Sequence, residues 1–563
     1  MRTCNDSPEG WASQRKLLIR KHQRVSFLLA TCLALCCLCA LGQTTGRIAG
    51  TIKDPTGAVV AFAKVTTTSK STAERRQATA DDVGRYVLAL LPPGTYRFCV
   101  AAVGFKTQVF EEVSVSITET TQLDVNLTVE KAPGESVTVR SPDPQLQADG
   151  PQLGRVVESS YLTELPLVAR NFTEILGFYA GTAGFLTDGT SVGRNTQTLS
   201  VNGARVTQNN FELNGVDVNG MGTNSAVTVA TPAPETIQEF KVQTSLYDAT
   251  YGRSGGGNIQ VVTRGGTNEF HAVGYEYFRN EALNANNPFL KSAGAKRPVL
   301  RRNVFGGTLG GPIRKNAMFF FVSYQGTRET NGASAVNSLS SNVLIAPCTT
   351  NAPCLTNDRS ELTLLATFKP TLQNGQSATA IDPPALALLS ATLPNGQFVI
   401  PTPQANGRYS GSTPSTFQED QFNANVDWRV ASNDLLTTKF FFSNAPQALT
   451  LPSFRGTGPN VPGFGNDQVN NNRVLALQEI HTFTPNLLNE ARAGYTFIRN
   501  DTSPHEPVND SDIGIARSTA SQYPGLSLIR IAPAAGGCRD RHGHYHRWTC
   551  GPNRGHLRRY FVT

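Results

Sequence analysis

Residues 250–280, TYGRSGGGNIQVVTRGGTNEFHAVGYEYFRN, decide how this chain folds. A glycine-rich run leads into a short β segment, a Gly-Gly-Thr-Asn turn and then an aromatic strand. Successive side chains of a strand point to opposite faces. From Asn268 onward, Val273, Tyr275 and Tyr277 therefore share one face, and Ala272, Gly274 and Glu276 share the other. An aromatic, apolar face backed by a small, polar one predicts a barrel strand with its aromatic side toward lipid and its other side toward a wet lumen.

The segments that follow repeat the pattern. RNVFGGTLGGPI (302–313) and AMFFFVSYQGTRE (317–329) are joined by the short polar turn Arg314-Lys315-Asn316. In FNANVDWRV, Phe422, Ala424, Val426, Trp428 and Val430 alternate strictly with Asn423, Asn425, Asp427 and Arg429. The link Ala431-Ser432-Asn433-Asp434 leads to LLTTKFFFS, and later Ala491, Ala493, Tyr495 and Phe497 alternate with Glu490, Arg492, Gly494 and Thr496. Residues 330–417 and 444–470 are rich in Asn, Pro, Ser and Thr and are expected to be long loops. Long loops at one end and short turns at the other mark outer-membrane barrels. A soluble β-sandwich shows the same period of two, so the Phe and Tyr enrichment and the loop asymmetry carry the barrel assignment.

Composition agrees. Charged residues make up 16% of the 563, Gly (50) and Phe (29) are plentiful and Met (3) is scarce, which favours an all-β chain with many turns. The net charge of +8 comes mainly from the first 24 and last 30 residues, so a nucleic-acid partner is not expected. Arg15, Lys16, Arg20, Lys21 and Arg24 precede an apolar run from Val25 to Ala40, with Ala40-Leu41-Gly42 as a cleavage site. This predicts a signal peptide over 1–42, because the run is short for a membrane span of ~20 residues; a membrane anchor is the alternative. Of ten cysteines, Cys99, Cys348, Cys354, Cys538 and Cys550 would remain after cleavage. Cys348 and Cys354 bracket a polar, Pro-containing stretch that suits a local disulfide in an exported loop. Cys99, in YRFCVAAV, is expected to be a buried core thiol.

Toward the N-terminus, GRIAGTI, AKVTTTS, GRYVLALL, GTYRFCVAAVGF and TTQLDVNLTV are separated by Asp54-Pro55-Thr56-Gly57, Asp82-Val83-Gly84 and Pro92-Pro93-Gly94. That spacing predicts a β-sandwich. GTIKDPTGAVVAFAKV and DDVGRYVLALLPPGTYRFCVAAVGFKT resemble carboxypeptidase regulatory-like domains; no HExxH or zinc-ligand cluster accompanies them, so a recognition or spacer module is expected. Four further motifs occur in series: LPLVARNF (165–172), SVNGAR (200–205), FELNGVDV (211–218) and PETIQEFKVQTSLYDATYGRSGGGNIQVVTRGGTN (234–268). Together with the barrel-like strands, they resemble TonB-dependent outer-membrane receptors that carry such an N-terminal domain. The resemblance covers residues of about 44 to 530.

Between the signal peptide over 1–42 and an atypical tail over 536–563, the resemblance implies a sandwich over 44–130, a linker over 131–151, a plug over 152–267 and part of a transmembrane antiparallel barrel over 268–535. It also implies a TonB-type energy-transducing partner in the inner membrane, outer-membrane lipid around the barrel, a periplasmic N-terminal domain and an unidentified extracellular ligand in a Gram-negative bacterium. In such receptors a short Glu/Asp-x-Val-x-Val stretch is the box the partner grips. ESVTV, Glu135, Ser136, Val137, Thr138 and Val139, fits it by strand addition, and fits the last strand of the sandwich equally well. Tyr247, Tyr251 and Arg253 are candidate ligand contacts or plug–barrel packing residues. The expected function is energy-coupled import; a surface carbohydrate-binding or adhesive protein is the rival.

Chemistry of bonds is not expected. Gly252-Arg253-Ser254-Gly255-Gly256 matches G-x-S-x-G, but its flanks are β and turn, whereas a nucleophile elbow needs a strand-to-helix turn. There is no G-x-x-x-x-G-K-[ST], and Cys538, His542, His544, His546 and Cys550 match no common zinc spacing, so neither cofactor nor metal is expected. Plugged barrels use about 22 strands, and far fewer can be marked here. Composition also changes near Gly536 to GCRDRHGHYHRWTCGPNRGHLRRYFVT, without strand alternation. The expectation is a truncated receptor with a shifted reading frame; a functional basic or metal-binding tail is the alternative.

Overall fold

The computed structural model describes residues 44–130, 136–139 and 153–526, apart from 185–188, 195, 221, 223, 225–228, 248–250, 252–253, 287, 293, 295, 335–337, 340–354, 371–375, 404–410, 452–461 and 517–524. The expected signal peptide, the Cys348–Cys354 pair and the Cys- and His-bearing tail lie outside the described residues.

The first unit is a two-sheet sandwich. One sheet joins β1 (Gly46–Lys53), β4 (Arg85–Leu91), β7 (Thr120–Gln122) and β8 (Val125–Asn126); the other runs in the order β3 (Arg75–Thr79), β2 (Lys64–Ser69), β5 (Gly94–Ala101), β6 (Thr107–Val115), β9 (Ser136–Val139). The turns form as their residues dictate. Asp54 Oδ1 accepts from the Thr56 and Ala58 amides at 2.8 and 2.9 Å, an Asx turn. Gly57 follows at φ 87°, where a side chain would be strained. Alternation then delivers Ile48, Ile52, Val65, Phe98, Val100 and Val125 to the core. Cys99 is not among them. It sits between Phe98 and Val100 on the outer face, half-buried, because the period of two excludes it from the face its neighbours occupy.

The second unit is a mixed sheet in the order β10 (Leu153–Glu158), β15 (Ile237–Ser245), β16 (Asn258–Thr263), β13 (Asn210–Leu213), β14 (Val216–Asp217), with a small pair β11 (Thr182–Gly184) and β12 (Leu199–Val201). Every residue of β16 is buried, because both faces of this sheet are covered. Its core of Leu162, Phe172, Leu176, Phe240 and Ile259 continues into Phe441, Val474 and Ala476 of the third unit. The sheet therefore fills the hollow of the wall around it.

That wall is a seven-stranded antiparallel meander: β17 (His271–Asn280), β18 (Leu300–Arg314), β19 (Met318–Asn331), β22 (Ser415–Ala431), β23 (Asp434–Leu449), β24 (Asn466–Thr484) and β25 (Leu487–Pro504). A two-residue pair, β20 (Ser338–Leu339) with β21 (Gly411–Ser412), lies in the long connection. The links at one end are short (315–317, 432–433, 485–486), and those at the other are long. The strands run further than expected and take up residues 330–331, 415–417, 444–449 and 466–470 of the supposed loops. At 19 residues, β24 spans ~60 Å, against an apolar band of ~25 Å, so polar strand ends stand clear of lipid. The long connection also holds helices at Glu361–Phe368 and Pro383–Ser390.

The faces of β22 are as expected: Asn423 and Asn425 are buried toward the plug sheet, and Phe422, Trp428 and Val430 are exposed outward. On β17 the assignment reverses. Tyr275 and Tyr277 turn inward, and Arg170, on a loop of the inner unit, stacks 3.7 Å from the Tyr277 ring centroid and 5.7 Å from that of Tyr275. The inner side of the wall is packed against a folded domain rather than water, so an aromatic ring is as well placed there as in lipid. Tyr275 crosses its neighbour Gly306 to put Oη 3.3 Å from Gln325 Oε1, and a Cβ on Gly306 would lie 2.7 Å from that Oη.

Candidate functional site at the junction of plug, wall and sandwich

The glycine-rich run folds back on the inner sheet. Tyr247 Oη donates to the carbonyls of Ser254 and Gly256 at 2.8 and 3.2 Å, and Asn209 Oδ1 accepts from the Gly257 amide at 2.9 Å. A Cβ at Gly256 would lie 2.5 Å from Asn209 Oδ1 and 2.8 Å from Gln208 O, so only glycine admits this approach. Tyr251 is buried, its Oη accepting from Gln260. Both tyrosines thus stitch the loop to the sheet, and Arg253 lies outside the described residues.

The Gly-Gly-Thr-Asn motif is where the chain leaves the plug and enters the wall. Asn425 Nδ2 donates to Thr263 Oγ1 at 2.8 Å and to Arg264 O at 2.6 Å, and Lys439 Nζ donates to Thr263 O at 2.8 Å. A Cβ on Gly265 would meet Asp427 Oδ2 at 2.5 Å. One on Gly266 would lie 2.7 Å from Phe320 N and 2.8 Å from Gly311 O, with Phe320 O closer still. Asn268 then exchanges two hydrogen bonds with Asn316, at 2.8 and 2.9 Å, and its amide donates to Ser71 O of the sandwich at 2.9 Å. One asparagine joins three units.

Further toward the long-loop end, three buried arginines hold plug to wall. Arg302 and Glu329 of the wall pair at 3.0 Å, and Arg302 also donates to Gly193 O at 2.9 Å and Ala169 O at 3.2 Å. Glu329 accepts from the Gly193 amide at 3.0 Å. Arg194 of the plug reaches Glu419 of the wall at 2.6 Å and also meets Ser443. Arg170, from LPLVARNF, pairs with Glu235 of PETIQEF beneath Tyr277, which brings two of the serial motifs together. Nearby Glu174 accepts from the Val168 and Ala169 amides at 2.8 Å, yet burial still pushes its carboxyl up from the usual range. Removing the stacked ring, Tyr277→Leu, is expected to lower the stability of the folded chain by about 0.5–2 kcal/mol, measured by chemical denaturation in detergent. Wild-type stability would count against the stack.

The sandwich seals the short-turn end. Arg76 donates to Thr482 Oγ1 at 2.7 Å, and Ile117 N donates to Glu239 Oε1 of the plug at 2.5 Å. Between sandwich, Gly265–Thr267 and wall lies a cavity of about 690 Å³ into which Asp427, Arg429 and Lys439 face. Ser136–Val139 pairs in parallel with Thr107–Phe110 of β6, forming the edge of the second sandwich sheet with Ser136, Val137 and Thr138 exposed. Glu135 lies outside the described residues. Asp434, Glu479 and His481 cluster on the outer face of β23 and β24, away from the plug. Asp434 there already pairs with His481.

The signals that sequence reading missed are the wall's acceptors and donors. Asn425, Asp427 and Lys439 stand at inward positions of readable strands, but nothing in their spacing names Thr263 or Arg264 as partners.

Residues 262–549 match the outer membrane beta-barrel domain family, and residues 47–128 match the carboxypeptidase regulatory-like domain. A TonB-dependent transporter, Oar, from Myxococcus xanthus is 25% identical over 288 residues, covering 47% of this chain and 26% of that protein. The chain thus spans about a quarter of the length of the curated relative it matches. Among solved structures, the outer membrane transporter YddB from Escherichia coli aligns with a TM-score of 0.39 and 11% identity over 63% of this chain and 40% of that one. A point mutant of the ferric enterobactin receptor PfeA from Pseudomonas aeruginosa, in complex with enterobactin, aligns at 0.36 and 10% identity over 62% and 41%. With the family match covering half its length, the chain belongs to the outer membrane beta-barrel domain family, and it carries a carboxypeptidase regulatory-like domain toward its N-terminus.

Proposed function

We propose that this protein serves energy-coupled import across the outer membrane, with the inner sheet as a movable plug. The observation that supports it best is how the plug is held. Its exit strand continues directly into the wall through Gly265–Asn268, and Asn425, Lys439, Arg302 and Glu419 grip it by hydrogen bonds and ion pairs. Polar grips can break and re-form, and beside them the core shared by plug and wall takes in Phe441, Val474 and Ala476 among the described wall residues. The likeness to a TonB-dependent transporter agrees with this reading. Ligand would enter from the long-loop end, and the sandwich would face the periplasm.

The partner would be a TonB-type protein pairing with Ser136–Val139. An edge strand with exposed side chains suits strand addition. Val137→Pro removes a backbone donor and fixes φ. In cells, a Ser136→Cys protein is expected to form a disulfide with a cysteine-bearing partner, and adding Val137→Pro should cut that product about tenfold or more. An undiminished product at equal surface levels would restrict Ser136–Val139 to a sandwich role.

Import itself is tested with labelled oligosaccharides, peptides and ferric chelates, given to cells with and without the transducing partner. Accumulation of one probe only when the partner is present is expected. Surface binding without accumulation, or accumulation that ignores the partner, would overturn the reading and favour an adhesive protein.

A further inference from the structure

We propose that Glu239 links docking of the N-terminal sandwich to the hold on the plug's edge strand β10, so that undocking the sandwich frees β10. This goes beyond the transport reading and stands on the geometry of one interface.

Strand β10 is weakly anchored. Among the described residues it pairs on one side only, with β15, through a register that shifts between Leu153 and Gly154, and along it only Val157 is buried. At its far end Glu158 stands directly opposite Glu239. Like charges directly opposite on one face destabilise a strand pair.

What keeps that pair in place is the sandwich. Ile117 N, two residues past the end of β6, donates to Glu239 Oε1, and the carboxyl is almost wholly covered. Three charged groups face it: Glu119 from the sandwich, Glu158 from β10 and Lys241 from β15 itself. The lysine is already engaged, donating to Thr118 O at 3.2 Å and lying 3.6 Å from Glu119. A charge on Glu239 would thus be buried beside two other carboxylates. Burial foremost, and then these two neighbours, push its pKa up to about 8, against the pull of the Ile117 amide and Lys241. With the sandwich docked, Glu239 is a neutral acid at neutral pH, and its contact with Glu158 is harmless.

Undocking lets water reach the carboxyl, which then returns toward the ordinary value of ~4.3 and ionises. The docked state therefore holds one more proton than the undocked state between about pH 4.5 and 8. Docking is strongest below that window and weakens as pH rises through it, levelling off above about 8. Once ionised, Glu239 repels Glu158, and β10 loses part of its only pairing.

Hydrogen exchange on the full chain in detergent tests this at pH 5.5 and 8.5, with rates corrected for intrinsic exchange. In the wild type, peptides covering 107–119 and 153–158 are expected to exchange about tenfold faster or more at the higher pH. Peptides of β22 serve as the assembly control. Glu239→Gln keeps an acceptor for Ile117 and cannot ionise, so both regions should stay protected at both values. Glu158→Gln should retain the pH effect at 107–119 and lose it at 153–158. Equal wild-type protection at the two pH values overturns the proposal, as does a pH effect that survives Glu239→Gln. Should Glu239→Gln fail the assembly control, the Glu158→Gln protein decides: identical pH responses in its two regions would sink the link.

Discussion

Gly266→Val is expected to abolish assembly of the plugged wall. The new side chain would begin 2.7 Å from Phe320 N and 2.8 Å from Gly311 O, and both are backbone atoms of neighbouring wall strands. Neither can step aside by a rotamer change, so relief requires parting β18 from β19 or pulling the plug's exit strand off the wall. Overpacking a side chain against side chains costs about 1–3 kcal/mol; against fixed backbone the cost exceeds that range. Outer-membrane fractions should contain no heat-modifiable, protease-resistant form of the variant. Gly255→Ala is the matched control within the same motif region, because a Cβ there meets nothing within 4 Å. It should assemble with stability within about 0.5 kcal/mol of the wild type. Normal assembly of Gly266→Val would mean that the junction is not as tight as described.

The second large effect is expected at Glu329. Its carboxylate is 1% exposed, pairs with Arg302 at 3.0 Å and accepts from the Gly193 amide of the plug. Glu329→Ala leaves a buried guanidinium uncompensated and orphans the plug amide. Breaking a buried pair from one side costs about 3–5 kcal/mol. Trypsin should then cut the plug of the folded variant far faster, and its unfolding midpoint in denaturant should fall. The double variant Arg302→Met with Glu329→Leu removes both charges and should recover part of the loss. If the single and double variants are equally unstable, the pair is not what holds this end of the plug.

The sequence made the fold class and much of the layout legible. Asn423 and Asn425 alternating with Phe422 and Trp428 set the faces of β22, because amides cannot face lipid unpaired while aromatic rings can. The serial motifs marked the plug, and Asp54 and Gly57 marked the first sandwich turn through their own backbone chemistry. By itself, then, the sequence determined where strands lie, which side chains share a face and where the chain turns.

Other features waited for the tertiary structure. The tyrosines of β17 point inward because Arg170, more than a hundred residues upstream, stacks on them. Ser136–Val139 fits a coupling box and a last sandwich strand equally well on pattern alone, and only its pairing with β6 places it at a sheet edge. Arg194 reads as an ordinary loop cation until the wall closes around it and Glu419, 225 residues away, becomes its partner. The physical reason is common to all three. A period of two says which side chains travel together but is unchanged when the two faces are exchanged, and short-range turn chemistry carries no information about distant partners. Those choices are made when burial is shared between segments far apart in the chain, so only the assembled fold decides them.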